Sequence, residues 1–124
     1  MKLHDPTLFS HQWVEDIVYF EGPLLALLRD VSGEQYLYYW TGHDAFEGES
    51  VNCWLAVKVT DEQIAEYKAK RFTLLQIVRS VPQVYLVSID EDLKTRQVVE
   101  INSDDVPLHL LPPNDSFYDK ELAP

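Results

Sequence analysis

The side chains in this 124-residue chain that could do chemistry are four histidines, His4, His11, His43 and His109, and a single cysteine, Cys53. None of the histidines forms an HExxH pair, and Cys53 has no CxxC partner, so neither zinc-site spacing is present. The one grouping that a hairpin would gather is His43-Asp44 with Cys53, where a thiol beside an imidazole and a carboxylate could serve as nucleophile or as metal ligand. Against that stands the commoner role of a cysteine in an alternating strand, a small buried hydrophobe. There is no GxSxG elbow, and the four glycines sit at turns or in a polar segment rather than in a phosphate-cradling loop. Asp90-Glu91-Asp92 and Asp104-Asp105 fall in expected turns without the ligand spacing of a calcium loop. No cofactor and no metal are expected, and catalysis is the less favoured reading.

The aromatic residues raise a different question. Three tryptophans and seven tyrosines are many for a chain of this size, and exposed Tyr and Trp make good interface anchors. In QYLYYWT, Tyr36, Tyr38 and Trp40 alternate onto one strand face while Leu37 and Tyr39 take the other. If the first set faces outward, it makes an aromatic patch ringed by acids. If not, helices or the C-terminal segment must cover it.

The elements that would position these residues centre on Asn52–Ser80. Cys53 to Val59 alternates as a strand, with Trp54, Ala56 and Lys58 on one side and Cys53, Leu55, Val57 and Val59 on the other. Thr60-Asp61-Glu62-Gln63 and Thr73-Leu74-Leu75-Gln76 both fit the capping box, so two short helices follow, and Pro82 bars the second from continuing. Before this stretch, Trp13–Phe20 reads as a strand with Trp13, Glu15, Ile17 and Tyr19 on one side. Glu21-Gly22-Pro23 is a turn, Leu24–Val31 the return strand, and Gln35–Thr41 a third. Gly42–Ser50 is polar, with three carboxylates, and reads as a long solvated hairpin loop. After the helices come strands at Gln83–Asp90 and Thr95–Ile101. Residues 1–12 read as a lead-in. Residues 102–124 hold four of the seven prolines and read as an extended segment anchored by Leu108, Leu110, Leu111, Phe117 and Tyr118.

Charge narrows the partners. The net charge is −11; residues 1–60 and 88–124 each carry nine acids and three bases, while 61–87 carry three acids and four bases. A field of that sign repels phosphate backbones, so direct nucleic-acid binding is not expected, and it favours either a basic partner or simple solubility. No apolar run approaches the ~20 residues of a membrane span, and MKLHDPTLF lacks the apolar core of a signal peptide. With one cysteine and no internal disulfide, a cytoplasmic location is expected.

The succession FEGPLLALLRDVSGEQYLYYW, NCWLAVKVTDEQIAEYKAKRFTLLQIVRS, QVYLVSID and PLHLLPPNDSFYD resembles a family of small bacterial α+β domains over residues 13–118. The resemblance implies the order hairpin, tryptophan-leucine strand, short helices, strand, and a leucine-proline closing segment. It implies no activity, so no catalytic residues carry over.

The expectation is therefore one α+β domain over residues 1–124, with its core in 13–101. It is a mostly antiparallel, meander-like sheet of about six strands with two short helices between strands four and five. The expected function is a non-enzymatic protein–protein interaction domain in an immunity, antitoxin-like or adaptor role. Its partner would be basic, its contacts would come from Tyr36, Tyr38, Trp40, Asp104 and Asp105, and self-association stays open. The alternatives are a phage-type inhibitor that mimics nucleic acid, and a small-ligand or enzymatic domain with a site near His43 and Cys53.

Overall fold

The computed structural model describes residues 1–124. Its frame is a seven-stranded antiparallel sheet with few helices, an α+β to mainly β architecture. In chain order the strands are β1 (Lys2–His4), β2 (Gln12–Tyr19), β3 (Pro23–Arg29), β4 (Gln35–Phe46), β5 (Glu49–Val59), β6 (Gln83–Asp90) and β7 (Thr95–Asn102). Their order across the sheet is β1-β7-β6-β5-β4-β3-β2, so every strand from β2 onward neighbours the next, and only β1 crosses to the far edge. The helices α1 (Asp61–Lys68) and α2 (Leu74–Arg79) join β5 to β6. Because the lead-in contributes β1, which pairs with β7 from Lys2↔Glu100 to His4↔Val98, the sheet has one strand more than expected. Counted in the full sheet, the helices therefore do not follow the fourth strand. Three residues with a single apolar member carry no periodic signal, which is why β1 escapes a sequence reading.

Both faces of the sheet are covered. Leu25, Leu27, Leu37, Leu55 and Val57 point to a layer made by Ile64, Tyr67, Leu74, Ile77 and Val78 of the helices, joined by Val84 and Val106. Leu110, Leu111 and Tyr118 of the C-terminal segment pack on the same layer, whereas Leu108 and Phe117 remain exposed. The alternate residues, Ala26, Leu28, Tyr36, Tyr38, Trp54 and Ala56, form a second cluster with Phe9, Val87, Ile89 and Val98. Central strands buried on both sides explain why the apolar run 24–28 shows no strand period.

Local chemistry sets the elements. Both capping boxes form. Thr60 Oγ1 accepts from the Gln63 N–H at 3.2 Å while Gln63 Oε1 accepts from the Thr60 N–H at 2.9 Å, and Thr73 and Gln76 repeat the pair at 3.1 and 2.8 Å. The C-terminal segment completes α2, since Ser116 accepts from the Leu74 N–H through its carbonyl at 2.9 Å and from the Leu75 N–H through its hydroxyl at 3.1 Å. Helix α1 ends in a Schellman motif: Lys70 N–H donates to Tyr67 O at 3.0 Å and Arg71 N–H to Glu66 O at 2.9 Å. Lys70 holds the left-handed position, φ 63°, that glycine occupies without strain. Lys70→Gly is therefore expected to raise stability by about 1 kcal/mol, read as a higher urea midpoint at unchanged slope; an unchanged or lower midpoint would contradict it.

Two differences from the sequence reading shape the functional region. First, Gly42–Ser50 is not a long loop. Strand β4 continues to Phe46, β5 restarts at Glu49, and a two-residue turn joins them with Glu47 at φ 51° and Gly48 at φ 81°, the paired positive values of a type I′ hairpin. This stretch lacks apolar alternation because its ladder lies beyond the main core. Second, β2 does not keep Trp13, Glu15, Ile17 and Tyr19 on one side. Register shifts after Trp13 and after Asp16 turn the strand, so Trp13 packs with the Tyr36/Trp54 cluster while Ile17 packs with the helical layer.

Candidate functional site

The long β4–β5 hairpin overshoots its neighbour. Pairing between β3 and β4 stops at Leu25↔Tyr39, whereas β4 and β5 pair on to Phe46↔Glu49. The projecting arm and the β2–β3 turn therefore face each other across a notch. A cleft of about 440 Å³ fills it, within the size range of small-ligand sites. One wall is the turn, Phe20 to Leu24, and the other is Trp40, His43, Asn52 and Trp54 of the arm.

Each wall is fixed by its neighbours. In the turn, Phe20 N–H donates to Gly22 O at 2.9 Å, and Glu21 takes φ 55° to close it. Trp40 Nε1–H donates to Asn52 Oδ1 at 3.1 Å across the hairpin, and the His43 ring meets Trp40 edge-on at 5.2 Å. A bulge at Thr41–Gly42 brings His43 opposite Asn52, on the cleft side. Trp54 is buried at 4 % exposure and stands against Trp13 edge-to-face at 5.6 Å. Trp13 is three strands away, about 14 Å in a flat sheet, so this contact reports a sheet coiled around its aromatic face. Trp13 Nε1–H donates to Asp16 Oδ1 at 2.7 Å. Trp54 Nε1–H is buried with no acceptor among the described residues.

Arg96 of β7 holds the arm in place. Its half-enclosed guanidinium donates to Glu47 at 3.3 Å, to Asp90 at 3.3 Å and to Glu49, and it lies over the Phe46 ring at 5.5 Å. One cation thus ties both sides of the β4–β5 tip to the β6–β7 turn. The three carboxylates gathered there form a latch around Arg96.

The sequence-derived residues divide. Tyr36 and Tyr38 do not form an outward patch: they are buried, 7 % and 1 % exposed. Neither the helices nor the C-terminal segment covers them, because the cover is the N-terminal strap before β2. His11 stacks on Tyr36 at 4.3 Å and on Phe9 at 4.2 Å, and its Nδ1 lies 2.7 Å from Tyr38 Oη. Burial pushes both phenols up, Tyr36 to about 12, and pushes the His11 imidazole down against a smaller opposing pull from Asp30. Trp40 alone of the three reaches the cleft, half-buried. Asp104 and Asp105 are exposed in a 3₁₀ turn after β7, beside the start of β6 and so at the opposite end of the sheet from the arm.

His43 and Cys53 are not brought together. Asn52 and Trp54 line the cleft with His43, and Cys53 between them faces the other side of the strand. Burial raises the thiol, Asp44 raises it further, and a hydrogen bond with Ser88 only partly offsets this. A raised thiol holds little thiolate at neutral pH. Phe20, Glu21, Asn52 and Trp54 were not singled out as site residues by the sequence. The available signals were the Gly-Pro turn and the Gly42 bulge, and neither says what lies across the notch.

No family model, curated protein or solved structure matches the chain.

Proposed function

We propose that this protein is a non-enzymatic interaction domain that binds a basic protein partner, with the aromatic cleft as its anchor. The observation that carries this reading is the cleft's makeup: Trp40, Trp54 and Phe20 line it together with Glu21, on a chain of net charge −11. Aromatic anchors in a partly enclosed pocket carry most of the energy in protein interfaces, while distributed charge sets the encounter rate. The division of the sequence-derived residues fits those two roles. Trp40 sits at the anchor, and Asp104 and Asp105 lie far from it on the steering surface. A reaction centred on Cys53 draws no support from a raised thiol on the far side of the strand from His43.

The steering half is tested by association kinetics with an arginine-rich octapeptide as the basic probe. Asp104→Lys with Asp105→Lys raises the net charge from −11 to −7. The double variant is expected to associate about two- to tenfold more slowly at low salt, with a shallower salt dependence and an unchanged dissociation rate. An on-rate equal to wild type would remove that surface from the binding field.

A further inference from the structure

The geometry points to the cleft as a receptor for the side chain of an arginine on the basic partner, an assignment that rests on the interaction reading above and gives it a chemical address. Among the described residues, Glu21 is the one acidic residue lining the cleft, His43 lines it too, and no lysine or arginine does. Trp40 and Phe20 add aromatic rings to the lining, with the buried Trp54 at its inner side, and ring faces are the negative ends of aromatic quadrupoles. Phe20 lines the cleft and is 62 % exposed. Asn52 Oδ1 receives the Trp40 indole proton, which leaves one of its two lone pairs to accept from a ligand. Beside His43, the cleft therefore offers aromatic rings, one carboxylate and one carbonyl oxygen, and these three suit a cation. Arg96 does not compensate this charge, because three carboxylates already engage it outside the cleft.

A guanidinium fits this set better than an ammonium. It is planar and weakly hydrated, so it can stack on an indole while its in-plane N–H groups reach a carboxylate and an amide oxygen. An ammonium is a compact, strongly hydrated point charge that surrenders more hydration on entering an aromatic wall.

The test titrates a blocked Gly-Arg-Gly peptide into the protein at low salt, reading tryptophan fluorescence, beside peptides with citrulline or lysine at the central position. The arginine peptide is expected to bind at least about tenfold more tightly than the neutral citrulline peptide, which has the same shape, and more tightly than the lysine peptide. Glu21→Gln and Trp40→Ala are each expected to weaken it by about tenfold, and Trp40→Phe, which keeps a ring, by less. If Trp40→Ala does not fold, Glu21→Gln and Trp40→Phe still decide the matter. Equal binding of the citrulline peptide, or affinities unmoved by these substitutions, would overturn the assignment, and tighter binding of the lysine peptide would overturn the guanidinium preference. Salt-dependent binding of the arginine-rich octapeptide that ignores Glu21→Gln and Trp40→Phe would leave the interaction reading standing without the cleft. If neither arginine peptide binds, both fall.

Discussion

Replacing Trp54 with alanine is expected to destabilise the fold by about 3–5 kcal/mol, the range for truncating a buried large aromatic. Trp54 sits in the middle of β5, pairs with Trp40 on one side and Val87 on the other, and packs against Trp13 and Tyr38. Its loss would open a void under the coiled face and remove the inner part of the cleft at once. Trp54→Phe separates the contributions. The indole N–H has no acceptor among the described residues, so losing it forfeits none of the hydrogen bonds they make, and the cost falls to the missing volume, about 1–2 kcal/mol. Urea unfolding of the three proteins checks this. An alanine variant within 1 kcal/mol of wild type (on the scale of that same range) would mean that Trp54 is not the packing centre of the aromatic face.

The second large effect lies at the strap. Tyr38 is almost fully buried, and among the described residues its hydroxyl is shared with His11 alone. With the imidazole neutral and its proton on Nε2, Tyr38 Oη–H donates to Nδ1. Tyr38→Phe leaves that nitrogen unpaired in a half-buried site, at an expected cost of about 1–3 kcal/mol. The same contact makes the strap sensitive to acid. Burial depresses the His11 pKa below its ordinary 6.5, Asp30 opposes this, and the other neighbours with shifted phenols, Tyr36 and Tyr38, stay neutral throughout. Between the folded and unfolded values the unfolded chain binds more protons, so stability is full above about 6.5 and declines as pH falls through that value. Asp5, Asp30 and Asp90 have depressed pKa values too, and their contributions are lost as pH falls through the ordinary carboxylate range and below, beneath the window in which His11 acts. A pH series on wild type and His11→Gln therefore isolates the imidazole. The wild-type loss between pH 7 and 5 is expected to shrink in the variant; identical profiles would show that His11 does not clamp the strap.

Much of this architecture is written locally. The two Thr-x-x-Gln boxes, the stop at Pro82 and the strand at Gln83–Asp90 depend on neighbours within a few residues, and all appear where the sequence puts them. The arm, the strap and the cleft depend on pairings that no local pattern encodes. Glu47-Gly48 can make a type I′ turn, but only the β4–β5 ladder shows that polar residues on both sides continue as strands. Likewise the alternation of Tyr36, Tyr38 and Trp40 gives a shared face without saying what covers it. Phe9 and His11 do, from a segment with no periodicity of its own. The separation of His43 from Cys53 follows from the bulge at Gly42, a one-residue event that reverses which side of the strand faces the cleft.

The most direct test is a two-dimensional NMR spectrum of the three indole N–H groups, recorded while the blocked Gly-Arg-Gly peptide is added at low salt. Trp40 and Trp54 line the cleft, whereas Trp13 stands behind it with its N–H held by Asp16. The expected result is a saturable shift of the Trp40 and Trp54 signals with Trp13 nearly still, abolished when citrulline replaces arginine. No shift, or equal shifts of all three signals with either peptide, would contradict binding of a cationic side chain at this cleft.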